Sequence, residues 1–226
     1  MNYLQLVQKL KRKCRVTGNV PVTLQNAQNE EVNRLSDWIN EAWMAIQRQR
    51  TDWRWMRTSM SFTTVEGQAS YTLAQIGITD FGNWATDTFR NYATSAGIQS
   101  EIFMDYLAYD VWRNSYQFGA LRNSKSRPIQ FTYDPVFSVG LGPVPVEGYT
   151  VIGDYYRVAT ELSADADTPA MPSQFHMATV YRAMMFYGVS EASPEVYQEG
   201  KDEFQKLLGD ISKQQLSHFE FGPALV

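Results

Sequence analysis

Residues 35–64 read LSDWINEAWMAIQRQRTDWRWMRTSMSFTT, and partway along them the hydrophobic period changes. In the first part the apolar residues recur at steps of three and four. Leu35, Ile39, Ala42 and Ile46, with Val32 before them and Trp53 after, share one stripe, the pattern of an amphipathic helix. Trp38 and Trp43 flank that stripe, and Asp37, Asn40, Glu41, Gln47 and Arg48 occupy the opposite side. An apolar arc this broad implies a helix packed on more than one side. Asn26 or Asn29 can cap its start, with Glu30 and Glu31 in the first turn, where carboxylates suit the helix dipole. From Glu30 to Asp52 it would span about 35 Å at ~1.5 Å per residue. From Thr58 the step becomes two: Met60, Phe62 and Thr64 alternate with polar neighbours, as in a strand.

Working outward, the chain reads as helix, then strands, then helix. Tyr3, Val7, Leu10 and Cys14 form one face of a short first helix, which Gly18 and Pro21 end. After the switch, Glu66-Gly67 marks a turn and Tyr71 and Leu73 alternate again, so residues 58–73 read as a β-hairpin. Residues 75–100 are polar and dotted with glycine, with Trp84, Phe89 and Tyr92 embedded. They read as a long excursion ordered in part by those rings, a length often tied to function. Asp105–Phe118 suggests a short helix with Tyr109, Trp112 and Tyr116 on one side. Arg127–Tyr133 and Val136–Leu141 suggest strands joined at Asp134-Pro135. Gly142-Pro143-Val144-Pro145 is a turn or extended connector, and Tyr149–Val158 is a further strand. Strands of this kind fit an antiparallel sandwich or barrel. Ser173 can cap a helix that runs to Gly188, with Pro172 just before it or at its first position. Ser193-Pro194-Glu195 opens another, whose stripe is Tyr197, Phe204, Leu208 and Ile211, and the short link predicts an antiparallel helical hairpin. The expected fold is α+β: a helical bundle built from both chain ends with a central antiparallel β region. Its parts are 1–57 helical, 58–160 mainly β with the excursion at 75–100, and 161–226 a helical hairpin plus a tail.

Composition narrows the function. The 226 residues are 44% hydrophobic and 14% aromatic, with six Trp and thirteen Tyr, which marks a folded chain with aromatics to spare for interfaces. Cys14 is the single cysteine, so no internal disulfide and no cysteine-based zinc site can form; it reads as a small buried apolar residue. The opening MNYLQLVQKLKRKC lacks the apolar run of a signal peptide, and no stretch approaches the ~20 apolar residues of a membrane span, so the expectation is synthesis in a reducing cytoplasm with no membrane contact. The net charge of −4 is unevenly placed. Residues 1–60 hold ten Lys/Arg against five Asp/Glu (+5), and the remainder ten against nineteen (−9). Adjacent copies can meet basic end to acidic end, or the two regions are ordinary solvated faces.

The catalytic inventory is thin. His176 falls in the first turn of its expected helix, where the dipole disfavours a positive charge. A metal site would want a partner such as a second histidine four residues on, and position 180 is Val. A Ser-His-Asp triad has no sequence-local signature, but no G-x-S-x-G elbow, Walker A loop or G-x-G-x-x-G occurs. Gly140-Leu141-Gly142-Pro143 reads as a turn, because Pro143 lacks the N–H a phosphate cradle needs. No catalytic, cofactor-binding or metal-ligating residue is assigned, and no cofactor. One run remains: Arg48, Arg50, Arg54 and Arg57 interleave with Trp53 and Trp55. It reads as a DNA or interface contact with aromatic stacking, or as a helix end whose arginines complement the dipole while the tryptophans enter the core. The second reading is preferred.

The order of these segments resembles the head-to-tail adaptor proteins of tailed bacteriophages, in particular the adaptor family of short-tailed phages such as SU10. The resemblance rests on MNYLQLVQKLKRKC, LSDWINEAWMAIQRQRTDWRWMR, SFTTVEGQASYTL, RPIQFTYDP, LGPVP, GYTVIGDYYR and TPAMPSQFHMATVYRAMMFYG in that order, which covers nearly the full chain apart from 75–100. It implies a non-enzymatic virion protein of the neck, between head and tail. Such proteins form a ring of copies, a dodecamer, under the portal protein, extend the channel through which DNA passes without sequence preference, and provide the attachment site for downstream tail or nozzle proteins. A carboxylate-dependent cell-wall hydrolase of the virion and a monomeric nucleic-acid-binding module are the competing readings. The chain ends SHFEFGPALV, in which Phe219, Phe221, Leu225 and Val226 are apolar and Gly222-Pro223 ends any helix. An apolar terminus wants a groove, and the resemblance favours one on the portal or a neighbouring copy.

Overall fold

The computed structural model describes residues 1–24 and 29–215. In chain order they form α1 (Tyr3–Lys13), α2 (Glu30–Arg48), β1 (Arg57–Thr63), β2 (Ser70–Tyr71), α3 (Leu73–Ile76), β3 (Phe81–Ala93), β4 (Ile102–Phe103), β5 (Asp105–Tyr106), α4 (Tyr109–Trp112), β6 (Lys125–Ser126), β7 (Gln130–Tyr133), β8 (Val139–Gly142), β9 (Val144–Pro145), β10 (Tyr149–Arg157), α5 (Met177–Ser190) and α6 (Pro194–Gln215). The chain divides into two compact units. One takes residues 1–56 together with those from Ala159 onward; the other is Arg57–Val158.

In the helical unit the starts are fixed by local chemistry. Asn2 and Gln5 form a capping box at α1, each side chain bonding the other's backbone N–H at 2.9 and 3.0 Å. Asn29 caps α2 by accepting from the Glu31 N–H at 2.9 Å; Asn26 lies outside the described residues. The helix before Gly188 starts later than Ser173 suggests, because Ser173–Phe175 form a single 3₁₀ turn and α5 begins at Met177. α5 contacts α1, α2 and α6, which explains why its sequence, MATVYRAMMFYGVS, is apolar on nearly every side. Glycines bring α5 and α6 together. A Cβ on Gly188 would stand 2.7 Å from Cβ of Tyr197, and one on Gly200 would stand 2.8 Å from the Tyr181 carbonyl oxygen. Where the chain re-enters this unit, residues 160–162 run along α2 as an extended segment. The side-chain amides of Gln47 and Asn40 each exchange two hydrogen bonds with its backbone, at Thr160 and Leu162. Gln47, placed on the polar side by the sequence pattern, is therefore buried.

The β unit stacks two sheets, ordered β1-β10-β3-β4 and β2-β8-β7-β5, with a short parallel pair β6-β9 beside them. The longer ladders are antiparallel, and β5 joins β7 in parallel. Met60, Phe62, Trp84, Phe89, Val151 and Tyr155 from the first sheet pack against Tyr71, Phe131, Val139 and Leu141 from the second. Phe89 and Phe131 stack with ring centroids 4.0 Å apart.

Three expectations are corrected here. Residues 58–73 are not a hairpin: β1 pairs with β10 and β2 with β8, so they belong to different sheets. Phe62 and Tyr71 meet as side chains across the core instead, ring centroids 5.0 Å apart. Residues 75–100 are not an excursion, because they contain β3, a 13-residue strand paired to both β10 and β4. Its period is hidden by a bulge. Ile152 pairs with Arg90 and Asp154 with Ala85, so residues 86–89 stand opposite Gly153 alone, and the core-facing positions change phase between Trp84 and Phe89. Finally, Asp105–Phe118 is a strand, one turn of α-helix and a π-helical turn over Arg113–Gln117. Trp112 and Tyr116 there cover the outer face of the second sheet, where only Gly140 and Gly142 leave room for their rings.

Candidate functional site

The arginine–tryptophan run is where α2 gives way to β1. Trp53 is fully buried and its indole N–H donates to the Ile46 carbonyl at 3.0 Å. Trp55 stacks on it, centroids 4.4 Å apart at 16°. Arg50 forks onto Asp52, Nε to Oδ1 at 3.0 Å and Nη2 to Oδ2 at 3.3 Å. Arg57 belongs to the β unit and bonds Asp154, Nε to Oδ2 at 2.7 Å. Arg48 and Arg54 are exposed and form no ion pair among the described residues. Trp53 is thus a core residue with the half-buried Trp55 stacked on it, and two of the four cations are already matched, which leaves Arg48 and Arg54 able to meet a phosphate or a carboxylate of another molecule.

His176 is buried and bridged. Its Nδ1 lies 2.6 Å from the Met1 ammonium, and its Nε2 lies 3.0 Å from the Met171 carbonyl oxygen. The neutral ring protonated at Nε2 satisfies both contacts, donating to Met171 and accepting from the ammonium. Burial above all, and the Met1 charge with it, holds its pKa below the ordinary histidine range. With both nitrogens occupied, the ring ties the start of α1 to the start of α5. Burial pushes the Cys14 thiol up to about 12, so it carries no thiolate at neutral pH. Among the described residues no group of three or more His, Cys, Asp or Glu is placed to hold a metal ion, and no helix is long and apolar enough to cross a membrane.

One surface escaped the sequence pattern. The outward face of the first sheet carries an open depression of about 780 Å³, lined among others by Arg57, Asp154, Asp87, Arg90 and Phe103. The Arg90 guanidinium lies 4.0 Å from the Phe103 ring centre and bonds Glu101 at 2.8 Å. Its two arginines are matched with carboxylates, Arg57 with Asp154 and Arg90 with Glu101, and Asp87 adds a further carboxylate to its wall. The partner of Arg57, Asp154, lies on β10, 97 residues away, a relation no local spacing reveals. Phe219, Phe221, Leu225 and Val226 lie outside the described residues.

Compared with known proteins, residues 1–224 match the family model described as SU10 adaptor protein. No curated protein matches the chain.

Proposed function

Because the chain belongs to the SU10 adaptor protein family, we propose that it is a structural head-to-tail adaptor of a tailed bacteriophage, located in the virion neck. Copies form a ring, a dodecamer, beneath the portal protein. The ring extends the DNA channel and gives downstream tail or nozzle proteins their attachment site. The observation that carries this reading is the extent of the family match, which takes in both units and leaves only two residues outside. The contacts of α5 with α1, α2 and α6 support a single bundle drawn from both chain ends. The apolar residues Phe219, Phe221, Leu225 and Val226 dock the protomer on the portal or a neighbour. Among the basic residues Arg48, Arg50, Arg54 and Arg57, the unmatched Arg48 and Arg54 are the ones to touch passing DNA or an adjoining copy. Contact with DNA is weak and independent of sequence, since tight binding needs a basic surface and the net charge is −4.

Purified protein mixed with the portal of the same phage and viewed by negative-stain microscopy tests this. The expected result is a ring stacked on the portal ring. A monomer that ignores the portal and turns over peptidoglycan overturns it in favour of the hydrolase reading; sequence-selective, salt-resistant DNA binding by a monomer overturns it in favour of the nucleic-acid module.

A further inference from the structure

The turn between β7 and β8 is built in an unusual way. Phe137 sits at φ 64°, a left-handed conformation that a bulky residue rarely adopts and that persists only where the surroundings impose it. Here they do. Oδ1 of Asp134 accepts from the N–H groups of Val136 and Ser138, both at 2.9 Å. The Phe137 N–H donates to the Asp134 carbonyl at 2.9 Å, and the Phe137 carbonyl accepts from the Trp84 indole at 3.1 Å. These bonds do not hide the apolar pair at the tip. They hold it outward, Val136 71% and Phe137 39% exposed. The surface continues inward from Phe137 through Tyr133 to Tyr106, itself 40% exposed, with ring centroids 6.2 and 5.5 Å apart. Asp134 supports the tip and Asp105 adjoins Tyr106. Asp80 holds the hydroxyl of Tyr155, whose ring stacks on Phe81 beside Phe137. The tip is an apolar surface edged by carboxylates.

The helical unit carries a surface of the opposite kind. After α1 the chain returns along that helix, where the Pro21 carbonyl accepts from the Gln8 side chain at 2.9 Å. This leaves Val22 87% and Val20 41% exposed on either side of the residue tied to Gln8, whose neighbours on α1, Lys9 and Arg12, are exposed as well, with Arg15 following. None of these three cations forms an ion pair among the described residues. It is an apolar surface edged by cations. Isolated exposed valines need no explanation, but contiguous apolar patches with matched rims mark interaction sites.

We propose that the Val136–Phe137 tip of one copy docks on the Val20–Val22 face of the next, with Asp105 and Asp134 opposite Lys9 and Arg12. The two patches differ, so the contact is heterologous, the kind that closes into a ring when its rotation allows. The proposal rests on the adaptor reading above and specifies one seam of that ring.

Cysteine cross-linking tests it, and Cys14 is too buried to interfere. Val136→Cys protein and Val22→Cys protein are prepared separately, mixed, assembled on portal and treated with a short bismaleimide. Cross-linked adaptor pairs are expected in the mixture with portal, and neither variant alone should give them. In parallel, Arg12→Glu should lower ring yield about tenfold, as opposing a carboxylate with a carboxylate does at a contact surface, and Asp105→Lys in the same chain should restore it. Rings that assemble on portal without cross-linking overturn this seam and leave the adaptor reading intact. Cross-linking that is equal with and without portal also overturns it. A failure of the unmodified protein to form any ring on portal overturns both.

Discussion

The side-chain amide of Gln47 and the backbone of Thr160, 113 residues apart in the chain, exchange two hydrogen bonds: Nε2 to the Thr160 carbonyl at 2.9 Å and the Thr160 N–H to Oε1 at 3.1 Å. Asn40 repeats the arrangement one heptad earlier on α2, with both of its bonds to Leu162 at 2.8 Å. The amides act as rungs that pair an extended segment to the side of a helix, satisfying backbone groups that neither a sheet nor a helix would satisfy.

Gln47→Ala should therefore destabilise the protein by about 1–3 kcal/mol, since it removes two part-buried hydrogen bonds to the Thr160 backbone. Urea unfolding measures this as a lower midpoint with an unchanged slope. A loss within about 0.5 kcal/mol, the scale of inert surface changes, contradicts the clamp.

Two glycines of α6 should respond to alanine in opposite directions. Gly200→Ala places a methyl 2.8 Å from the Tyr181 carbonyl oxygen and 2.9 Å from Cβ of Met184. The expected cost is about 1–3 kcal/mol from overpacking, despite the better helix propensity of alanine. Gly209, on the same helix with nothing within 4 Å of its added Cβ, should gain up to ~1 kcal/mol when changed to Ala. Scanning calorimetry of the two variants should show Tm shifts of opposite sign, and equal shifts would mean that the close approach of the helices is not what selects Gly200.

His176 makes stability depend on pH. Its folded pKa is lowered by burial, and the unfolded value is about 6.5. The folded state thus binds fewer protons than the unfolded one between those values, so stability is full above about pH 6.5 and declines as pH falls below it. His176→Gln should flatten the stability profile between about pH 5 and 7, and His176→Ala should cost about 1 kcal/mol at neutral pH, as an ordinary point change does, without blocking assembly. An unchanged slope in the glutamine variant, measured by chemical denaturation across that range, contradicts the assignment.

Removal of residues Ser217–Val226 should leave thermal unfolding of the monomer nearly unchanged and abolish co-purification with portal. Burial of two phenylalanines and a leucine would contribute on the order of 5 kcal/mol per copy before ordering costs, and a ring multiplies whatever remains. A truncated protein that melts at much lower temperature assigns the segment to the protomer's own core instead.

What the sequence determined by itself was local. The caps Asn29 and Ser193-Pro194, the stripe of α2 and the change of period before Thr58 each depend on residues within a turn or two, and helix starts follow such signals whatever packs on them later. The burial of Trp53 was legible for the same reason, since it continues the helical stripe. The tertiary structure alone decided which strands pair. A period of two states that a residue chain is extended, but hydrogen-bond partners are set by register with segments far away, as with Phe62 against Val151 and Tyr71 against Val139. The bulge opposite Gly153 erased even the period of β3. Charge neutralisation followed the same logic: Arg57 and Asp154 are 97 residues apart and meet because β1 and β10 are neighbours. Gln47 turned inward because an extended segment needed its amide, and Phe137 turned outward because Asp134 closes the turn beneath it. In each case the deciding energy is a contact between groups distant in the chain, which only the folded arrangement brings within hydrogen-bonding or van der Waals range.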